Sequence, residues 1–409
     1  MQAARWFAGK GRSIASIDEV DAFALDRAGD GARVLAIADV AYADGGRERY
    51  LMAEALAGSW AALLGALREG PLHGAHGRLE LRPGPALDRL SGELEGEAVP
   101  AADQSNTLVG LGGRLLIKAY RLLQAGPHPE VELCAALDGT GAPVPAFAGS
   151  IHHVAADGSD TAIALLQELV PEAEAGWEAP ILRAAAVLRG GGAPDAAAVG
   201  EYRAAGAAVA RLHAALVAVS PPRVADDAVA AGWHAAALAA LDAAAAVDPV
   251  AAGRRDAIAA RLAPLRRAAG TPMTRVHGDL HVAQLLRSPG GLRVIDFEGD
   301  PTRPLAERRR PDTPLRDLAC LLRSVEHVGW AAARRVADPP DPEAWIRAAT
   351  AATLAGYGAA PDRELLAALE LAKSCQELIY AHRVVPEWAY APRAGLEALL
   401  RRLEDADGP

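Results

Sequence analysis

The chain has 409 residues, 51% of them apolar but only 4% aromatic, and a formal net charge of −10. The length allows two or three packing units at roughly 150 residues each, and the Ala-, Leu- and Val-rich composition predicts tightly packed helix for much of it. The acidic balance excludes a general affinity for nucleic acid or an anionic membrane, because no basic surplus exists to neutralise phosphates.

The N-terminus, MQAARWFAGKGR, lacks the apolar stretch of a secretion signal. Over the first hundred residues, apolar runs such as VLAIADVAY and RYLMAEAL alternate with Gly and Asp clusters, which predicts strands joined by turns. A boundary is expected at LEGEAVPAADQ. From Gln104 to Gly149 the pattern becomes strand, Gly-rich turn, strand and helix: SNTLVGL, GG, RLLIKAY and HPEVELCAAL. IALLQELVPEAEAGW then reads as a buried strand entering a Pro-broken acidic hinge.

Long Ala- and Arg-rich amphipathic segments follow, predicting helices over 204–217, 228–246 and 252–269. The tract 228–246 carries Trp233, His234 and Asp242 and reads as a soluble helix rather than a membrane span of roughly 20 apolar residues. Helices resume from Pro314. Cys134, Cys320 and Cys375 are far apart, odd in number and without metal-ligand spacing, so a reducing, cytoplasmic setting is expected.

The stretch VHGDLHVAQLL, Val276–Leu286, followed after SPGG by LRVIDFEGDP, interrupts the helices. Two strand-like runs around a Pro-Gly-Gly turn would bring Asp279, Gln284 and Asp296 to one mouth. Phosphoryl transfer needs a carboxylate to orient and deprotonate the attacking hydroxyl, and oxygen ligands for magnesium. Asp279 is the candidate base; Gln284 and Asp296 are candidate metal ligands. Gln284 follows Asp279 by five residues, the spacing between catalytic Asp and metal-binding Asn in protein kinases. Glu298 is a further candidate ligand, directly or through water. His277 reads as a structural brace, and His281 receives no assigned role. Arg308 and Arg309, in the basic run ERRRP, fit a solvated face or a phosphate contact; Asp317 fits a helix cap or a brace for the catalytic loop.

Lysine occurs only at positions 10, 118 and 373, and asparagine only at 106. In a chain that otherwise uses Arg, a retained Lys or Asn marks a position where point charge or amide chemistry counts. Lys118, on a strand after the LGG turn, is the candidate for the ATP phosphates, oriented by Glu132 near a helix start. Ser105, Asn106 and Thr107 are candidates for the phosphate-covering turn, and backbone groups around Gln167, Glu168 and Val170 for the adenine edge.

RWFAGKGR, DQSNT, LIKAYRLLQAGPHPEVEL, QELVPEAEAGW, HGDLHVAQLL, DFEGDPTRPLAERR and PLRDLACLLRS resemble, in order along nearly the whole chain, the blocks of bacterial maltokinases, within the aminoglycoside-phosphotransferase branch of the kinase-like fold. The resemblance implies an α+β bilobal, eukaryotic-protein-kinase-like fold. Its parts would be an N-terminal cap over 1–98, a small mixed N-lobe with hinge over 99–172, and a helical C-lobe over 173–409. It implies ATP and magnesium as cofactors and the same roles for Lys118, Glu132, Asp279, Gln284 and Asp296; the acidic charge, separately, predicts no nucleic-acid or membrane partner.

The chain departs from the maltokinase pattern at LAKSCQELIYAHRVVPEWAYAP. On a helix, Lys373, Gln376, Glu377 and Tyr380 fall on one face, which fits either a sugar pocket or an ordinary solvated face with a Lys–Glu pair. Trp388 is a candidate apolar wall, and DFEGDP places Asp300 where the family has Glu. A protonated amine leaving water needs carboxylates, so Asp300 and Glu377 fit a small cationic sugar. These features resemble the actinobacterial glucosamine kinases, implying transfer to the 6-hydroxyl of glucosamine. Competing expectations are maltose 1-phosphate formation, aminoglycoside phosphorylation and a nucleotide-binding module without catalysis.

Overall fold

The computed structural model describes residues 6–25, 33–53, 58–92, 94, 96–98, 106–191, 194–301, 303–338, 341–358 and 360–407. The chain forms two compact units, one comprising Met1–Gly139 with Val144–Glu172, the other Thr140–Pro143 with Ala173–Pro409.

The first unit holds two antiparallel sheets. Its elements are β1 (Ile14–Leu25), β2 (Arg33–Tyr42), β3 (Arg47–Met52), α1 (Trp60–Glu69), β4 (Leu72–His73), β5 (Gly77–Pro83), α2 (Leu87–Leu90), β6 (Glu97–Ala98), β7 (Thr107–Leu111), β8 (Leu115–Ala119), β9 (Leu122–Leu123), α3 (Pro129–Leu137), β10 (Phe147–Ala155) and β11 (Asp160–Glu168). The smaller sheet runs β1-β2-β3-β9 and the larger β4-β5-β10-β11-β8-β7-β6. Strands from before and after residue 98 therefore share both sheets. Apolar residues of β2 and β3 bury Leu35, Ile37, Val40, Tyr50 and Leu51. β10 and β11 are buried along most of their length, as strands covered on both faces must be.

The second unit is mainly helical: α4 (Glu178–Arg189), α5 (Gly200–Val219), β12 (Arg223–Val224), α6 (Asp227–Ala245), α7 (Pro249–Gly253), α8 (Arg255–Arg261), α9 (Ala263–Arg266), β13 (Pro272–Met273), β14 (Leu285–Ser288), β15 (Gly291–Val294), α10 (Leu305–Arg308), α11 (Pro314–Ala333), α12 (Glu343–Tyr357), α13 (Arg363–Val384) and α14 (Tyr390–Asp407). The helix expected over 252–269 is three short ones. Arg254 and Leu262 interrupt it, and Pro264, lacking an N–H, sits in the first turn of α9 where that donor is not needed.

Helix α6 is long and apolar enough to cross a membrane by length and composition. Here Asp226 caps its N-terminus through the Val229 N–H, and Ala230, Ala237, Leu241 and Ala244 join a core with Leu318, Leu322, Leu369, Cys375 and Leu378. Helix α11 is buried almost throughout, and its polar members Asp317, Arg323, Ser324 and Glu326 are at most 2% exposed. Burying them is costly unless each is paired, and their partners lead to the functional site.

Candidate active site

In the first unit, β7 and β8 form a hairpin turned by Gly112 and Gly113, whose φ values of 55° and 64° favour glycine. β8 carries Lys118. Its Nζ donates to Glu130 at 3.0 Å from Oε1 and 2.9 Å from Oε2, and the Tyr120 hydroxyl donates to Glu130 Oε2 at 2.8 Å. Glu130, only 1% exposed, replaces Glu132 as the carboxylate placed on this lysine. Pro129 opens α3, so Glu130 stands in the first turn, where the helix dipole favours an anion. Glu132, two positions further and thus about 200° around the helix, is half-buried.

Asn106 Oδ1 accepts from the Arg121 N–H at 3.3 Å, and Thr107 Oγ accepts from Arg121 Nε at 2.6 Å. Ser105 lies outside the described residues. Gln167 and Glu168 stand opposite Leu116 and Leu115 in the β8–β11 ladder. The Glu168 N–H already donates to the Ala146 carbonyl, and the Leu169 N–H to that of Arg114. Val170 follows, half-buried, beyond the strand.

In the second unit, the loop after Thr274 is fixed from beneath. Asp317, fully buried on α11, accepts from the His277 N–H at 2.8 Å and the Gly278 N–H at 2.9 Å, and stands 3.2 Å from His213 Nε2. Burial pushes the Asp317 carboxyl up, but the hydrogen bonds and charge of His213, with help from the Gly278 N–H, hold it below its ordinary range. His277 Nε2 donates to the Ile295 carbonyl at 2.8 Å and its Nδ1 accepts from the Asp279 N–H at 3.4 Å, making this histidine the brace expected of it. Gly278 has φ 87°, and a Cβ there would lie 3.2 Å from the Gly299 backbone.

The Asp279 carboxylate emerges half-buried from this loop, with Lys373 Nζ 3.2 Å from its Oδ1. The β14–β15 hairpin then returns the chain so that Gln284 Nε2 donates to Asp296 Oδ2 at 2.7 Å. Asp296 adopts φ 69°, a conformation costly for a non-glycine residue and common at ligand-holding positions. With its amide N–H on Asp296, Gln284 has its carbonyl oxygen to offer a cation. Phe297 is buried against His277, and Glu298 is half-buried beyond it. An amide oxygen and two carboxylates form the all-oxygen donor set magnesium prefers, so the residues fit that ion.

On α13, Lys373, Gln376 and Glu377 are half-buried while Leu371, Cys375 and Leu378 are buried. Burial works against the Lys373 charge, yet Asp279 and Glu377 nearby raise its pKa above the ordinary lysine value. Glu377 does not stand alone: its Oε2 is 3.3 Å from Arg323 Nε and 3.2 Å from His327 Nε2. Burial opposes its ionisation, but His327 and Arg323 hold it down at about 2. Arg323 also pairs with Glu326, whose other oxygen meets Arg402 at 2.9 Å. Trp177, from the acidic connection before α4, stacks on His281 at 5.2 Å and lies 6.4 Å from the His327 ring. Arg323, His327 and Trp177 received no role from sequence, although charge inside an otherwise apolar helix was a usable signal for the first two. Asp300 is half-buried with Arg303 Nε 3.6 Å away. Trp388 is 38% exposed and stacks on Tyr390 at 6.1 Å, itself under Arg334 at 4.0 Å.

A strand lysine held by a helix carboxylate in one unit, and a loop aspartate followed by a Gln–Asp pair in the other, define a phosphotransferase of the kinase-like class with ATP as donor and a hydroxyl as acceptor. The chain belongs to the phosphotransferase enzyme family, whose model matches residues 95–369, and residues 1–77 match the maltokinase N-terminal cap domain. It is 32% identical to a glucosamine kinase of Mycolicibacterium smegmatis over 83% of this chain and 87% of that one. It is 31% identical to a glucosamine kinase of Streptacidiphilus jiangxiensis over 76% of this chain and 75% of that one. A solved glucosamine kinase in complex with glucosamine, ADP and inorganic phosphate superposes with a TM-score of 0.75 at 28% identity, covering 91% of this chain and 94% of the other.

Proposed function

We propose that this enzyme transfers the γ-phosphate of ATP to the 6-hydroxyl of glucosamine. The observation that carries the reading is the contact between Lys373 and Asp279, which ties the polar face of α13 to the candidate base. The relatives named as glucosamine kinases, and the solved one that holds glucosamine, ADP and phosphate, support it.

Lys118, held by Glu130, meets the nucleotide phosphates. Asn106 and Thr107 complete that region, and Gln167, Glu168 and Val170 border the base, with the Glu168 carbonyl and the Val170 N–H reading its edge. Gln284, Asp296 and Glu298 would hold magnesium, which when bound neutralises phosphate charge. Asp300 and Glu377 receive the sugar's ammonium and hydroxyls, Gln376 adds an amide, and Trp388 walls the ring. Asp279 orients the 6-hydroxyl and accepts its proton as the oxygen bonds to the γ-phosphorus and the bond to the ADP oxygen breaks. Lys373 keeps Asp279 aimed. Three buried free cysteines fit a reducing, cytoplasmic setting.

The test is ADP release with magnesium and ATP over a panel of glucosamine, N-acetylglucosamine, glucose, maltose and an aminoglycoside, with NMR of the phosphorylated carbon. Preferred glucosamine turnover with phosphate on carbon 6 is expected. Preferred phosphorylation of maltose on carbon 1, the reading the maltokinase cap favours, would overturn the acceptor assignment.

A further inference from the structure

The strand that carries Lys118 leaves the larger sheet at Ala119, and after only two intervening residues the chain is in the smaller sheet, where Leu122 and Leu123 pair with Tyr50 and Arg49. The link is Tyr120–Arg121, and both are buried. Tyr120 reaches the lysine's carboxylate, Glu130. Arg121 reaches in the other directions. Its carbonyl accepts from the Leu51 N–H at 2.9 Å and its Nη1 donates to the Leu51 carbonyl at 3.3 Å, fastening it to β3 of the smaller sheet. Its guanidinium carbon lies 4.9 Å from the Trp6 ring centroid. Its N–H and Nε hold Asn106 and Thr107 at the entry to β7.

A guanidinium is expensive to bury, and only its planar fork can serve a backbone carbonyl, a hydroxyl and an aromatic face at once. A plain hydrophobic link would join the two sheets at lower cost. What the Arg121 side chain adds is a fixed position for Thr107 at the start of β7, next to Asn106, which the backbone N–H already holds.

We propose that Arg121 is a positioning residue whose side chain, fastened to the N-terminal sheet and Trp6, sets Thr107 for nucleotide binding beside the Asn106 that its backbone N–H holds. The N-terminal cap thereby acts as a buttress for ATP. This rests on the reading above that Asn106, Thr107 and Lys118 face the nucleotide.

Arg121→Ala, Arg121→Lys, Trp6→Ala and, as a control on that reading, Lys118→Met are compared with the parent by KM for ATP, calorimetric Kd for magnesium-ADP, KM for glucosamine and melting. Loss of one charge-assisted hydrogen bond predicts that Arg121→Ala raises KM for ATP and Kd for ADP roughly tenfold, leaving KM for glucosamine unchanged. Arg121→Lys, unable to fork, recovers only part, and Trp6→Ala shifts the same two constants less. If Arg121→Ala does not fold, Trp6→Ala carries the test by the same split. A folded Arg121→Ala or Trp6→Ala with parental ADP affinity, or one whose sugar and nucleotide constants worsen together, overturns the proposal. Lys118→Met with parental ADP affinity would instead overturn the nucleotide reading on which it rests.

Discussion

Lys373 is where the proposed sugar binding and the proposed proton transfer would meet. Its ammonium sits 3.2 Å from Asp279 and shares a helix face with Gln376 and Glu377. Replacing it by Ala removes one charge-assisted hydrogen bond and leaves Asp279 free to turn, so kcat is expected to fall about 10- to 100-fold. Steady-state kinetics check this, and parental kcat would return Lys373 to a solvated face. Lys118, Asp279, Gln284 and Asp296 were nameable as candidates because each belongs to a short motif whose spacing suits the proposed chemistry. The partner of Lys118 was not. Glu130 and Glu132 both stand near the start of one helix, and only where Pro129 opens that helix decides which faces inward.

Among the elements, α11 carries most of what the sequence concealed. It presents Asp317 to the loop that carries Asp279, Ser324 to the Val282 N–H at 3.0 Å, and Arg323 and His327 to Glu377. These contacts join segments about 40 to 54 residues apart, beyond the reach of periodicity. Asp317→Asn keeps the shape but offers one acceptor where two backbone N–H groups need one each. It is expected to cost about 1.5–3 kcal/mol of stability and to lower kcat with ADP affinity kept, measured by denaturant unfolding and calorimetry. Helix α13 supplies a pH test. Burial pushes the Glu370 carboxyl up to about 7, against the pull of Arg323 and Arg402. The folded state therefore keeps a proton that the unfolded chain has lost, and stability falls as pH rises from the ordinary glutamate range toward 7. Glu370→Gln removes that loss, so its melting temperature should gain on the parent at pH 8 and not at pH 4. An equal change at both would contradict the shift.

For the molecule as a whole, the break near residue 172 and the change from sheet to helix were readable from composition and turn residues. The membership of β9 in the smaller sheet was not, because a two-residue strand leaves no periodic trace. If ATP and magnesium bind as proposed, magnesium-ADP at about a hundred times its Kd should stabilise the protein by about 2.7 kcal/mol. Chelation with EDTA should reduce that gain, as thermal melting will show; a gain indifferent to EDTA would remove Gln284, Asp296 and Glu298 from the metal role. The central claim is that Asp279 is the base. It is tested most directly by single-turnover kinetics of Asp279→Asn with saturating ATP and glucosamine, alongside ADP affinity. The account predicts a rate lower by about 10²- to 10⁴-fold with ADP affinity preserved, and a near-parental rate would contradict it.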